Sequence, residues 1–147
     1  MASFHSLAID PAPFKADTDL SAAVNTAGSN LYRVVAAAST SNNIKLATGA
    51  SNPYPLGVLQ NSPSAGQEAE VRVLGFSLVT GRVNGSGCNL VPGRFVLAAS
   101  DGCVESASLT TCLVFGRWMS ASFGTAGGSV YGELQLFGMS VCAAAIS

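Results

Sequence analysis

The side chains able to carry acid, base, nucleophile or metal chemistry are few in this sequence and poorly placed for it. His5 is the one histidine and lies near the N-terminus, so a Ser-His-acid triad would have to be assembled from a terminal arm. Cys88, Cys103, Cys112 and Cys142 are separated by 15, 9 and 30 positions, which fits neither a C-x-x-C redox pair nor paired zinc knuckles. Glu68 and Glu70 are the nearest approach to a carboxylate pair, but two positions apart and beside Arg72 they belong on the solvated face of a strand. No G-x-S-x-G elbow, G-x-x-x-x-G-K loop or helix-opening G-x-G-x-x-G occurs. The Asn84-Gly-Ser86 sequon has meaning only in an exported chain. Tyr32, Tyr54, Trp118 and Tyr131 would serve a sugar-stacking platform, but Trp118 lies in an apolar strand pattern where packing is the commoner use. The inventory predicts no enzymatic activity, no cofactor and no metal.

Composition points elsewhere. Charged residues make up 10% of the 147 and hydrophobic residues 48%, against about 25% charged in an average soluble domain. One domain of this length closes a core without disulfides or metals. No apolar run reaches the roughly 20 residues of a spanning helix, so the apolar excess is expected to be covered by other protein chains, not by a membrane. Lys15 and Lys45 are the only lysines and the net charge is −1, so nucleic acid is not an expected partner. The opening MASFHSLAID has neither a charged n-region nor a continuous apolar h-region, and residence in a cytosol is the default.

The elements that would position any function are strands. Residues 31–37 and Ile44-Lys-Leu46 flank the loop Ser39-Thr-Ser-Asn-Asn43 and predict a hairpin. Leu56 to Gln60 and Glu68 to Leu74 predict another, with Pro63 and Gly66 in its turn. Its second strand places Glu68, Glu70 and Arg72 on one face and Ala69, Val71 and Val73 on the other. A strand from Phe76 to Val83, a loop at Asn84 to Asn89, a hairpin of Arg94 to Ala98 and Cys103 to Glu105 turning through a type I′ Asp101-Gly102, and strands at 113–119 and 130–137 complete the pattern. About eight short antiparallel strands predict an all-β barrel or sandwich over residues 28–138. Gly57 and Gly75 fall inside strands, where they mark bulges or close backbone approach.

The best-patterned stretch is Gly57-Val58-Leu59-Gln60-Asn61, a turn holding Pro63 and Gly66, then Val71-Arg-Val73-Leu-Gly75. It resembles the signature of the small capsid cement, or head decoration, proteins of tailed bacteriophages. Tyr32-Arg-Val-Val, Pro92-Gly93, Asp101-Gly102, Phe115-Gly-Arg-Trp-Met and Gly132-Glu-Leu-Gln-Leu extend the likeness more weakly, over roughly residues 31–137. The resemblance implies a β-rich domain on the outer surface of a virion capsid. It also implies a homotrimer at threefold or quasi-threefold positions, with the major capsid protein as partner and stabilisation of the shell as function. A lectin-like or receptor-binding virion module is the alternative.

Residues 1–27, the Asn84 to Asn89 insertion and the tail 139–147 depart from the family's shorter form. Pro11 and Pro13 keep the first of these extended. Phe4, Leu7, Ile9 and Phe14 are its candidate apolar anchors, predicted to reach a neighbouring subunit or the capsid. For the cysteines, assembly in a reducing cytosol predicts free thiols. Thiol titration of the unfolded chain without reductant should count four, and a count of zero would mean two disulfides.

Overall fold

The computed structural model describes residues 14–21, 30–48, 55–83, 89–99, 101–107 and 114–141. These residues form eleven strands and no helix. β1 (Phe14–Ala16), β2 (Val34–Ala37), β3 (Asn43–Leu46), β4 (Pro55–Leu59), β5 (Glu68–Ala69) and β6 (Val71–Arg72) build one sheet in the order β5-β1-β3-β2-β4-β6. β7 (Leu74–Arg82), β8 (Phe95–Ala98), β9 (Val104–Ser106), β10 (Val114–Trp118) and β11 (Ser129–Val141) close a barrel in the order β10-β11-β7-β9-β8. The protein is all-β, as its period-two patterning requires.

The outermost strands of the first sheet, β5 and β6, are consecutive pieces of one segment interrupted at Glu70. The segment pairs with β1 at one end and β4 at the other, so the sheet curls until its two edges meet. Inside it lie Ala16, Leu20, Val35, Ile44, Leu59 and Ala69. The alternate residues of β2 and β4 (Val34, Ala36 and Val58) face away from that cluster and pack with Val79, Val96, Phe115, Trp118 and Leu134 of the barrel. Both faces of the two strands are therefore dry, which explains their runs of small and β-branched residues. Thr80 N–H donates to the Tyr32 carbonyl and Tyr32 N–H to the Leu59 carbonyl, at 2.9 and 3.0 Å. Tyr32, at φ +61°, thus bridges the two sheets.

Several expectations need correction. Pairing is not wholly antiparallel: β1 runs parallel to β3, and β7 to β9. The predicted strand from Glu68 to Leu74 is three pieces, because it must leave one sheet and enter the other. Its alternation holds at Ala69, which is buried, and at Val71, which is partly buried, but fails at Val73, which is exposed. The Asp101-Gly102 turn is not type I′, since Gly102 has positive φ and Asp101 does not. It is a three-residue loop closed by Gly102 N–H to the Ala99 carbonyl and Ala99 N–H to the Cys103 carbonyl. Within the predicted arm, Phe14–Ala16 is a strand of the protein's own sheet and Leu20 is buried in that sheet's core. Residues 1–13 lie outside the described residues, as do 84–88 of the predicted loop and 142–147 of the tail.

Trp118 fills the barrel interior, 1% exposed, with Nε1 donating to the Ala121 carbonyl at 3.2 Å. Gly132 and Gly81 lie against its ring: a Cβ at Gly132 would collide with the indole, and one at Gly81 would come within 2.8 Å of it. Gly132→Ala should therefore lower stability by about 1–3 kcal/mol through overpacking. Gln135→Ala, on the same strand but not facing the ring, should stay within about 0.5 kcal/mol; urea denaturation of the two variants checks the contrast.

Candidate functional site

The motif residues are consumed by the fold. A Cβ at Gly57 would strike the Arg72 backbone, so glycine lets β4 and β6 approach. The Asn61 side chain bridges its turn, donating to the Glu68 carbonyl and accepting from Glu70 N–H, each at 3.0 Å. Gln60 Nε2 donates to the Val58 carbonyl and to Ser77 Oγ on β7, at 3.0 and 2.8 Å. Pro63 accepts from Leu20 N–H through its carbonyl, and Gly66, at φ +79°, donates its N–H to Ala16. Val58 and Leu59 are core, and Val71 packs on it. Gly75, at φ +89°, bends the chain into β7. Within the motif stretch the exposed large hydrophobes are Val73 and Leu74.

Charge gathers at one place. Arg82 Nη2 meets Glu105 Oε1 at 2.7 Å and its Nη1 meets Asp101 Oδ2 at 2.8 Å. Arg33 donates to the Asp101 carbonyl at 2.8 Å, with its guanidinium 3.8 Å from the carboxylate. Burial pushes the Asp101 carboxyl up, but the Cys103 backbone N–H and the Arg82 and Arg33 charges outweigh it and hold the group below its ordinary value of 3.8. Burial, helped by Asp101, pushes the Cys103 thiol up to about 11, so this free, buried cysteine is a poor nucleophile at neutral pH. The cluster ties β7, the β8-β9 hairpin and the start of β2 together, and its carboxylates are occupied. Among the described residues no group of three His, Cys, Asp or Glu side chains is placed to hold a metal ion.

Large apolar side chains are also open to solvent. Val73, Leu74, Phe76, Leu78, Met119 and Tyr131 are each between 38% and 64% exposed. They lie on adjoining strands: in the β7-β11 register Phe76 stands opposite Gln135, Leu78 opposite Glu133 and Thr80 opposite Tyr131, while Met119 N–H donates to the Glu133 carbonyl at 2.9 Å. Phe76, Leu78, Tyr131, Glu133 and Ser120 line a shallow open depression of about 450 Å³. Beside Leu74, Phe137 meets Phe95 edge-on at 6.0 Å and the Arg117 guanidinium covers the Phe95 ring at 4.9 Å. An exposed apolar strip across neighbouring strands is the usual mark of a contact surface.

Sequence reasoning did not select this strip. Its signal is the alternation Leu74-Gly-Phe76-Ser-Leu78, in which large apolar residues alternate with glycine and serine. Such a strand has one apolar face, and with Trp118 inside the barrel that face is the outer one. Of the proposed arm anchors, Phe14 packs within its own sheet; Phe4, Leu7 and Ile9 lie outside the described residues. Trp118 is enclosed and offers no platform to a sugar.

The fold has a known counterpart. The crystal structure of the head fiber gp8.5 N base in bacteriophage phi29 superposes with a TM-score of 0.53 at 16% sequence identity, over 87% of this chain and 93% of that one. At that identity the likeness is one of fold. No protein-family model matches the chain, and no curated protein matches its sequence.

Asp101 supplies a pH prediction. Its folded value lies below the unfolded one, so its stabilisation is in place above about 3.8 and is lost as pH falls through the folded value. Asp101→Asn should cost about 0.5–1.5 kcal/mol at pH 7, the pair being partly screened by solvent. The gap from the parent protein should shrink towards zero as pH falls from 3.8 through the lowered folded value in urea denaturation curves; a gap independent of pH would mean that the charge contributes nothing.

Proposed function

We propose that this chain is a structural virion protein, a capsid cement or decoration protein that binds the outer surface of the major capsid protein shell and stabilises the head. The observation that carries this reading is the outer face of β7 and β11, where exposed Leu74, Phe76, Leu78 and Tyr131 offer contact area and no reactive group. The fold shared with a phage head-fiber base supports it, as does the cement-protein signature at residues 57–75. A surface protein repeated around a shell gains avidity from many modest contacts. What it needs from its sequence is rigidity and register, and the motif residues supply both. Self-association as a homotrimer is part of the reading, motivated by a 10% charge content that leaves much surface for other chains to cover.

A lectin-like role would rest on Phe76 and Tyr131 as the exposed rings. Sugar-array binding without affinity for shells would favour it.

The test is co-sedimentation of purified protein with undecorated shells, followed by heating. Saturable binding and a higher temperature of shell disruption are the expected results. Phe76→Lys with Leu78→Lys should weaken binding by roughly tenfold or more if this face touches the capsid. Absence of binding by the parent chain would overturn the proposal.

A further inference from the structure

The charged side chains on the barrel strands are Arg82, Glu105, Arg117 and Glu133. Arg82 and Glu105 are bonded to each other, whereas Arg117 on β10 and Glu133 on β11 have no ionic partner among the described residues. Both of these belong to the outer face. Arg117 stands opposite Phe95 on β8 and Gln135 on β11, and Gln135 stands opposite Phe76. Residues opposite one another share a face, and Phe76 is exposed. Glu133, two positions from Gln135, lies on that same face and is exposed. Diagonal neighbours on paired strands are about 7–8 Å apart, within reach of two long side chains, yet Arg117 and Glu133 form no pair. The guanidinium lies over the Phe95 ring at 4.9 Å, and Phe137 meets that ring edge-on at 6.0 Å. Its Nε is enclosed without an acceptor among the described residues. A guanidinium held on a ring has little freedom left to lose when a carboxylate arrives.

We infer that Arg117 of one copy takes the Glu133 carboxylate of a second copy, across a contact centred on the outer face of β10. The occupant follows from charge complementarity. One face carries one unpaired cation and one unpaired anion, so a second copy laid on it neutralises both at once. In a closed ring of copies Arg117 reaches to one neighbour while Glu133 receives from the other. Isolated exposed charges are usually left to water and are worth little. These two are set among apolar groups: Phe95 and Phe137 at the guanidinium, and at Glu133 the side chain of Met119, whose N–H donates to the Glu133 carbonyl. Covering that surface removes water from the pair and strengthens it. β10 stands two places from β7 in the barrel order, which leaves the outward row of Leu74, Phe76 and Leu78 to the shell. The inference rests on the proposed self-association and supplies its contact; it does not depend on capsid binding.

The test reads mass by light scattering for the full parent chain, Arg117→Glu, Glu133→Arg and the double swap, with urea denaturation to establish that each is folded. The parent should be a multimer. Each single reversal sets like charges against each other and should raise the dissociation constant on the order of a hundredfold, leaving monomer at micromolar concentration. The double swap should restore the multimer. Mixing the two single variants should also give assemblies that contain both chains, which pairing within one chain cannot produce. Glu133 is exposed, so Glu133→Arg keeps the test decisive even if Arg117→Glu does not fold. A folded Glu133→Arg chain with the parent's mass would overturn the inference, and so would a folded double swap that stays monomeric. A monomeric parent would overturn both the inference and the self-association on which it rests. Shell binding measured on the same proteins separates it from the capsid reading: a monomeric Glu133→Arg chain that still binds shells leaves both standing, and a multimeric parent that ignores shells leaves only the contact between copies.

Discussion

The interior of the barrel has room for one indole, and Trp118 takes it. Every strand position facing that ring has to yield: Gly81 and Gly132 can carry no side chain there, and Leu134 and Leu136 fill the space further along β11. The consequence reaches the surface. With small residues Gly75, Ser77 and Gly81 among the alternate positions of β7, the large ones, Leu74, Phe76 and Leu78, are turned outward. Core packing and the apolar outer strip are two sides of one strand pattern.

Rigidity of that strip comes from how the two sheets are joined. β2 and β4 send Val35 and Leu59 into one core and Val34, Ala36 and Val58 into the other. The Glu68–Arg72 segment closes the first sheet and passes directly into β7. Asn61 and Gln60, the polar members of the motif, bond across this passage to Glu68, Glu70 and Ser77. Removing either would loosen the strand that carries the outward face.

The sequence made the β class, both early hairpins and the special status of residues 57–75 legible, because period-two alternation and turn residues are local signals. Three features were not legible for a common reason: they depend on which strands meet. Phe14–Ala16 reads as an arm because two prolines precede it, yet it pairs with β3 and β5. Glu68 to Leu74 reads as one strand because alternation does not reveal a crossing between sheets. The outward turn of Leu74, Phe76 and Leu78 is not legible because hydrophobicity does not say which side of a barrel is already full. The Arg82, Asp101 and Glu105 cluster joins residues about twenty positions apart and leaves no periodic trace.

The role proposed for this chain is contact through area on a virion surface and not chemistry at a reactive centre. Electron cryomicroscopy of particles assembled with and without the chain tests this most directly. Difference density of the size of this fold on the outside of the shell, at equivalent sites, is the predicted result. Density confined to the tail or the interior, or none at all on particles exposed to saturating protein, would contradict it.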